Sequence, residues 1–177
     1  MTFAAIEEFA CYDTVRYYTV RCEGARLSEA DDFFERMERE EDFRDQLERL
    51  VAWIETIGDD EEGAAYDLFR QERLCVALPP QARYWNSYLR GRGEGLLKSG
   101  QPGGGCGIDL RLYCHWISER VVILYNGGIK TMAKAQDCPN VSRHFYNAQS
   151  WTKQLNEIGV DVYRDEICNL NDLLIKY

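Results

Sequence analysis

The sequence predicts an α+β domain: a small antiparallel sheet covered by an N-terminal helical hairpin and a C-terminal helix. Three observations lead there. One strand-like segment precedes two segments with apolar residues at helical spacing. A pair of strand-like runs, 108–117 and 120–128, is separated by only two residues. A last segment, 142–158, again has helical spacing. One strand, two helices, consecutive strands and a helix is the order of an antiparallel sheet with helices packed on it.

Residues 12–22, YDTVRYYTVRC, alternate and are rich in Thr, Val and Tyr, which predicts a strand ended by Gly24. Ser28 and Asp31 have the spacing of a capping box and predict a helix over 29–40, with Phe33, Phe34 and Met37 as its apolar stripe. Phe43, Leu47, Leu50, Val51, Ile54 and Ile57 predict a second helix over 42–57, with Gly58 as its C-cap. A short helix or turn is expected at 64–70. A strand is expected at 74–78, stopped by Pro79 and Pro80, and a strand or loop at 83–91.

The stretch 91–107 is rich in glycine and reads as a loop insertion; it carries Arg92 and Lys98. The runs 108–117 and 120–128 predict a hairpin. Its second strand is nearly all apolar and so belongs in the middle of the sheet, ending at Asn126-Gly127-Gly128. After a loop over 129–141 comes the helix 142–158, with Phe145, Trp151, Leu155 and Ile158 on its inner face. A helical tail is expected at about 160–177. The whole chain, 1–177, reads as one domain.

Composition narrows the class. Apolar residues make up 45% and charged residues 29%, which suits a packed globular chain. No run approaches the roughly 18 apolar residues of a membrane span. The first residues, MTFAAIEEFACYD, lack the basic and apolar regions of a secretory signal. Seven cysteines without a CxxC pair, and two histidines, point to reduced thiols in a cytoplasmic protein and to no metal site. Cys114 and His115 are neighbours on a strand, face opposite ways and do not form a catalytic pair.

The net charge of −9 argues against nucleic acid, but its distribution does not. Residues 1–62 hold 19 acidic and 7 basic side chains, a net of −12, whereas residues 80–153 hold 4 acidic and 10 basic, a net of +6. A basic working surface thus sits beside an acidic one with another task, or beside acidic helix faces that are merely solvated.

The string DLRLYCHWISERVVILYNGGIKT resembles the strand–turn–strand–Lys core of the RelE/HigB-type toxins of bacterial toxin–antitoxin systems. The resemblance implies a RelE-like fold and a metal-independent, cofactor-free endoribonuclease. Such an enzyme cuts mRNA at or near the ribosome, inhibits translation in the cytoplasm and is silenced by a cognate antitoxin. Carried over by position, Arg111 matches the strand arginine that holds the scissile phosphate. Lys130, after the Gly-Gly turn, matches the basic residue at the end of the last strand, and Lys134 matches more weakly. His144 and Tyr146 stand where the family places a His or Tyr.

The chemistry uses the adjacent 2′-hydroxyl as nucleophile and needs a base, an acid and cations around the phosphorane. Arg111 suits the phosphate through its planar fork. Lys130 acts electrostatically, or as a base if neighbouring cations lower its pKa. His144 is the natural acid near neutral pH. Tyr113, on the face of Arg111, either stacks on a base or fills the core; Arg92 and Lys98 add RNA contacts. The alternative is a ParE-like binding toxin that inhibits through protein contacts alone.

Overall fold

Two strands at the N-terminus replace the single one expected. In the computed structural model, which describes residues 2–81 and 110–177, β1 (Phe3–Cys11) turns at residues 12–15 into β2 (Arg16–Cys22). The expected strand over 12–22 is therefore part turn. β1 alternates inward Ala4 and Ile6 with exposed neighbours, but its alanines and glutamates carry little strand preference.

Ser28 caps α1 (Glu29–Glu38): its Oγ accepts from the Asp31 amide at 3.1 Å, as the capping box predicts. α2 (Arg44–Asp59) buries Leu47, Leu50, Ile54 and Ile57. Gly58 lies inside this helix rather than capping it. A β-carbon there would stand 2.5 Å from Cγ of Tyr12, so the glycine exists to admit that ring. A 3-10 turn (Tyr66–Leu68) leads to β3 (Arg70–Glu72) and β4 (Cys75–Leu78).

The hairpin of β5 (Leu110–Ser118) and β6 (Val121–Ile129) forms as expected, and β6 is central. It runs through Asn126-Gly127-Gly128 instead of ending there. α3 (Ser142–Ile158) has the bounds the spacing predicts. The tail is not helical. It forms β7 (Val162–Tyr163), β8 (Glu166–Ile167), a 3-10 turn and β9 (Ile175–Lys176). The predictions for 83–91 and for the glycine-rich loop at 91–107 lie outside the described residues.

The expected small antiparallel sheet, with its RelE-like covering of a helical hairpin and a C-terminal helix, is corrected by the topology. Among the described residues the main sheet has seven strands in the order β3-β4-β5-β6-β2-β1-β9 and is mixed. β2 pairs in parallel with β6, Arg16 opposite Val121 through Thr19 opposite Leu124. The reason is the path of the chain: β1 occupies one side of β2, and α1, α2, β3, β4 and β5 all intervene before β6 arrives on the other side. The sheet is covered on both faces. Val15, Tyr17, Leu110, Leu112 and Leu124 pack with α1 and α2. Tyr18, Tyr113, Ile123 and Tyr125 pack on the opposite face with α3 and the C-terminal segment. Among the described residues no helix is long and apolar enough to cross a membrane.

Candidate cationic site

Strand alternation places Arg111 and Tyr113 on the α3 face of β5, while Leu110, Leu112 and Cys114 face α1 and α2. The Arg111 guanidinium is buried, with 6% of the residue exposed, and Nη1 donates to the Leu110 carbonyl at 2.8 Å. Lys130 follows β6, and Gly128 stands opposite Arg111 in the register. Burial pushes the Lys130 ammonium below its ordinary pKa; the Arg111 and Arg70 cations push the same way and Glu72 opposes them. Arg70 and Glu72 come from β3, whose Arg70 lies opposite Ala77, which in turn lies opposite Tyr113.

Three strands thus bring three cations and one carboxylate together. Gln149 of α3 fixes the β3 end of the cluster, donating to the Glu72 carbonyl and accepting from the Leu74 amide. Arg70 Nε is buried without a hydrogen-bond partner among the described residues. The excess positive charge, held half-buried, suits an anion.

Tyr113 is fully buried and meets the Phe145 ring edge-on at 5.8 Å. Its ring cannot stack on a base in this fold, so of the two readings the core tyrosine holds. Burial, then Glu72, push its phenol above the ordinary value, and it keeps its proton. Lys134 is exposed. Arg92 and Lys98 lie outside the described residues.

His144 belongs to a different cluster. The main charges acting on it are Arg36 and Asp32 of α1 and its neighbour Arg143, whereas those acting most on Lys130 are Arg111, Glu72 and Arg70. Burial first, then the two arginines, push its pKa down to about 4 against the pull of Asp32. That value lies below the near-neutral range in which the sequence expectation makes it a proton donor. Nearby Asn126 of β6 donates to Glu29 and Asp32 at 2.8 and 2.9 Å, and its Oδ1 accepts from Arg36 and from the Gly127 amide. Tyr146 is exposed.

No motif or spacing points to Arg70, Glu72 or Cys138 beside Lys130. β3 is three residues long and has no strand-like pattern. Cys138 is buried, and its sulfur accepts from the Thr131 amide at 3.4 Å. Burial raises its pKa, but hydrogen bonds from Thr131, Asn140 and Met132 outweigh this and hold the thiol below its usual value. It ties the segment after Lys130 to the lead-in of α3. The six cysteines among the described residues are free, with Cys11 and Cys168 exposed. Among the described residues no three His, Cys, Asp or Glu side chains cluster as metal ligands.

No family model, no curated protein and no solved structure matches this chain.

Proposed function

We propose that the chain is a cytoplasmic toxin of the RelE/HigB kind, a metal-independent endoribonuclease that cuts mRNA at the ribosome and is held silent by a cognate antitoxin. The observation that carries the reading is the juxtaposition of Lys130 with Arg111 and Arg70, in a segment whose sequence resembles that family. The roles differ from the sequence expectation. Lys130 and Arg70, both partly exposed, meet the RNA backbone. Arg111 works from beneath, holding positive potential at the phosphate and favouring the neutral amine of Lys130. That amine takes the proton of the 2′-hydroxyl, and the 2′-oxygen attacks the adjacent phosphorus. The 5′-oxygen leaves with a proton from the ammonium so formed, giving a cyclic phosphate.

One observation favours the ParE-like alternative: the strongest influences on Lys130 include no imidazole, and those on His144 are Arg36, Arg143 and Asp32. Induced expression with transcript-end mapping separates the two. mRNA cuts that Lys130→Ala abolishes support the ribonuclease. Growth arrest with intact mRNA, or cuts that persist in Lys130→Ala, overturns it.

A further inference from the structure

On the face of the sheet opposite the cationic cluster, α1, α2 and β1 enclose an apolar groove. Its floor is Phe9, Tyr12, Phe34, Val51 and Ile54, and its volume is about 590 Å³. The Phe9 and Phe34 rings stack there at 5.8 Å. A second hollow of about 390 Å³ continues it along α2, sharing Glu38 and Val51 and adding Leu47 and Ala52.

The lips are acidic. Asp31, Glu35, Glu38, Glu48 and Glu55 line the two hollows, against one cation among the described residues, Arg44. Glu35 is already engaged by Arg26 and Arg39, and Asp31 accepts from the Ser28 hydroxyl. Glu38, Glu48 and Glu55 are exposed and form no ion pair with a described residue. Apolar side chains grouped in a groove with unspent carboxylates around them fit an occupant that is apolar on one side and positive on the other.

We infer that this groove receives a cationic amphipathic helix from a protein partner. The lining is side chains of α1, α2 and one face of β1, and the hollow runs on along α2. An occupant lying in it therefore meets side chains rather than backbone groups and must satisfy its own backbone, which a helix does. Leu, Ile or Phe at i, i+3, i+4 and i+7 would fill the floor, and Lys or Arg on its flanks would meet Glu38, Glu48 and Glu55. This surface accounts for the strongly acidic N-terminal third and does not depend on the ribonuclease reading.

The test uses the full chain and two labelled synthetic peptides of about 18 residues, long enough for a helix of about 27 Å. Both carry the same apolar stripe; one has Lys and the other Glu at the flanking positions. Fluorescence anisotropy should show saturable binding of the cationic peptide, weakened about tenfold by high salt, and binding of the anionic one at least about tenfold weaker. Val51→Asp should remove binding with an unchanged circular dichroism spectrum. The triple variant Glu38→Lys, Glu48→Lys, Glu55→Lys should reverse the preference, and Lys130→Ala should leave binding untouched. Equal affinity for both peptides, no binding of either, or cationic binding unaffected by Val51→Asp overturns the inference. So does a concentration-dependent dimer that Val51→Asp dissolves, since the occupant would then be a second copy.

Discussion

Gly127 lies so close to Arg111 that a β-carbon on it would stand 1.7 Å from the Arg111 carbonyl oxygen. A β-carbon on the neighbouring Gly128 would stand 2.8 Å from the Asn140 carbonyl oxygen. The glycine pair is therefore what lets β6 pass flat against β5 while the lead-in to α3 closes over it. Since Arg111 and Lys130 sit on either side of this contact, the same closeness sets the spacing of the cationic cluster.

Gly127→Ala should accordingly damage both stability and the site. The obstacle is backbone and cannot rotate away, so β5 and β6 must separate. A loss of about 3 kcal/mol or more is expected in urea unfolding. The matched control is Gly24→Ala, where no atom of a described residue lies within 4 Å of the methyl group and the positive φ of 77° opposes it. Its cost should be about 1 kcal/mol.

Much of this arrangement was legible in the sequence and some was not. Hairpin β5–β6, the capped start of α1 and the span of α3 are governed by neighbours in the chain, so alternation, Ser28 and helical spacing reveal them. The parallel pairing of β2 with β6 joins residues about a hundred positions apart, and nothing local distinguishes it from antiparallel pairing. β1 and β9 hold their conformation because β1 lies between β2 and β9, not because their residues favour it, and β7 and β8 pair only with each other. At the site, Arg111 and Lys130 could be found because the hairpin carries both. Arg70 arrives on a three-residue strand, and the charges that act on His144 come largely from α1, far away in the chain, so no spacing reveals either.

The two histidines should make the fold sensitive to mild acid. His144 and His115 are both pushed down to about 4, each chiefly by burial. The unfolded chain binds a proton on each near pH 6.5, the folded chain only near pH 4. Stability is therefore full above the unfolded value and is lost progressively as pH falls from about 6.5 to about 4. At pH 5 the loss is at most about 2 kcal/mol for His115 and smaller for the less buried His144. Proton NMR of the imidazole C2–H signals should show both rings neutral at pH 5.5. A midpoint near 6.5 for either would refute the burial argument for that ring.

Lys130 should trade stability for function. Its folded pKa lies below the unfolded value, so the folded chain holds that proton less tightly. The charged lysine costs stability below the folded pKa, and the cost disappears as pH rises through the folded value toward the unfolded one. Lys130→Met should therefore raise the melting temperature at pH 7, narrow that advantage above about pH 10, and weaken binding to a short single-stranded RNA. Equal melting temperatures at pH 7 with RNA binding intact would mean that the ammonium neither feels Arg111 nor meets RNA.

Asn126 should be the most exacting polar position. It is 3% exposed; its amide nitrogen serves Glu29 and Asp32, and its oxygen serves Arg36. Asn126→Asp keeps the shape and removes both donations. A third carboxylate then faces two others with only the Arg36 guanidinium between them, and its desolvation is repaid by neither. The expected cost at pH 7 is about 3 kcal/mol or more in urea unfolding. Protonating the new acid restores one donor and removes the repulsion, so the gap to the parent chain should narrow as pH falls from 7 to 5. The histidines burden both proteins equally over that range provided His144 keeps its surroundings. A gap that stays constant from pH 7 to 5 would show that Asn126 matters for its shape alone.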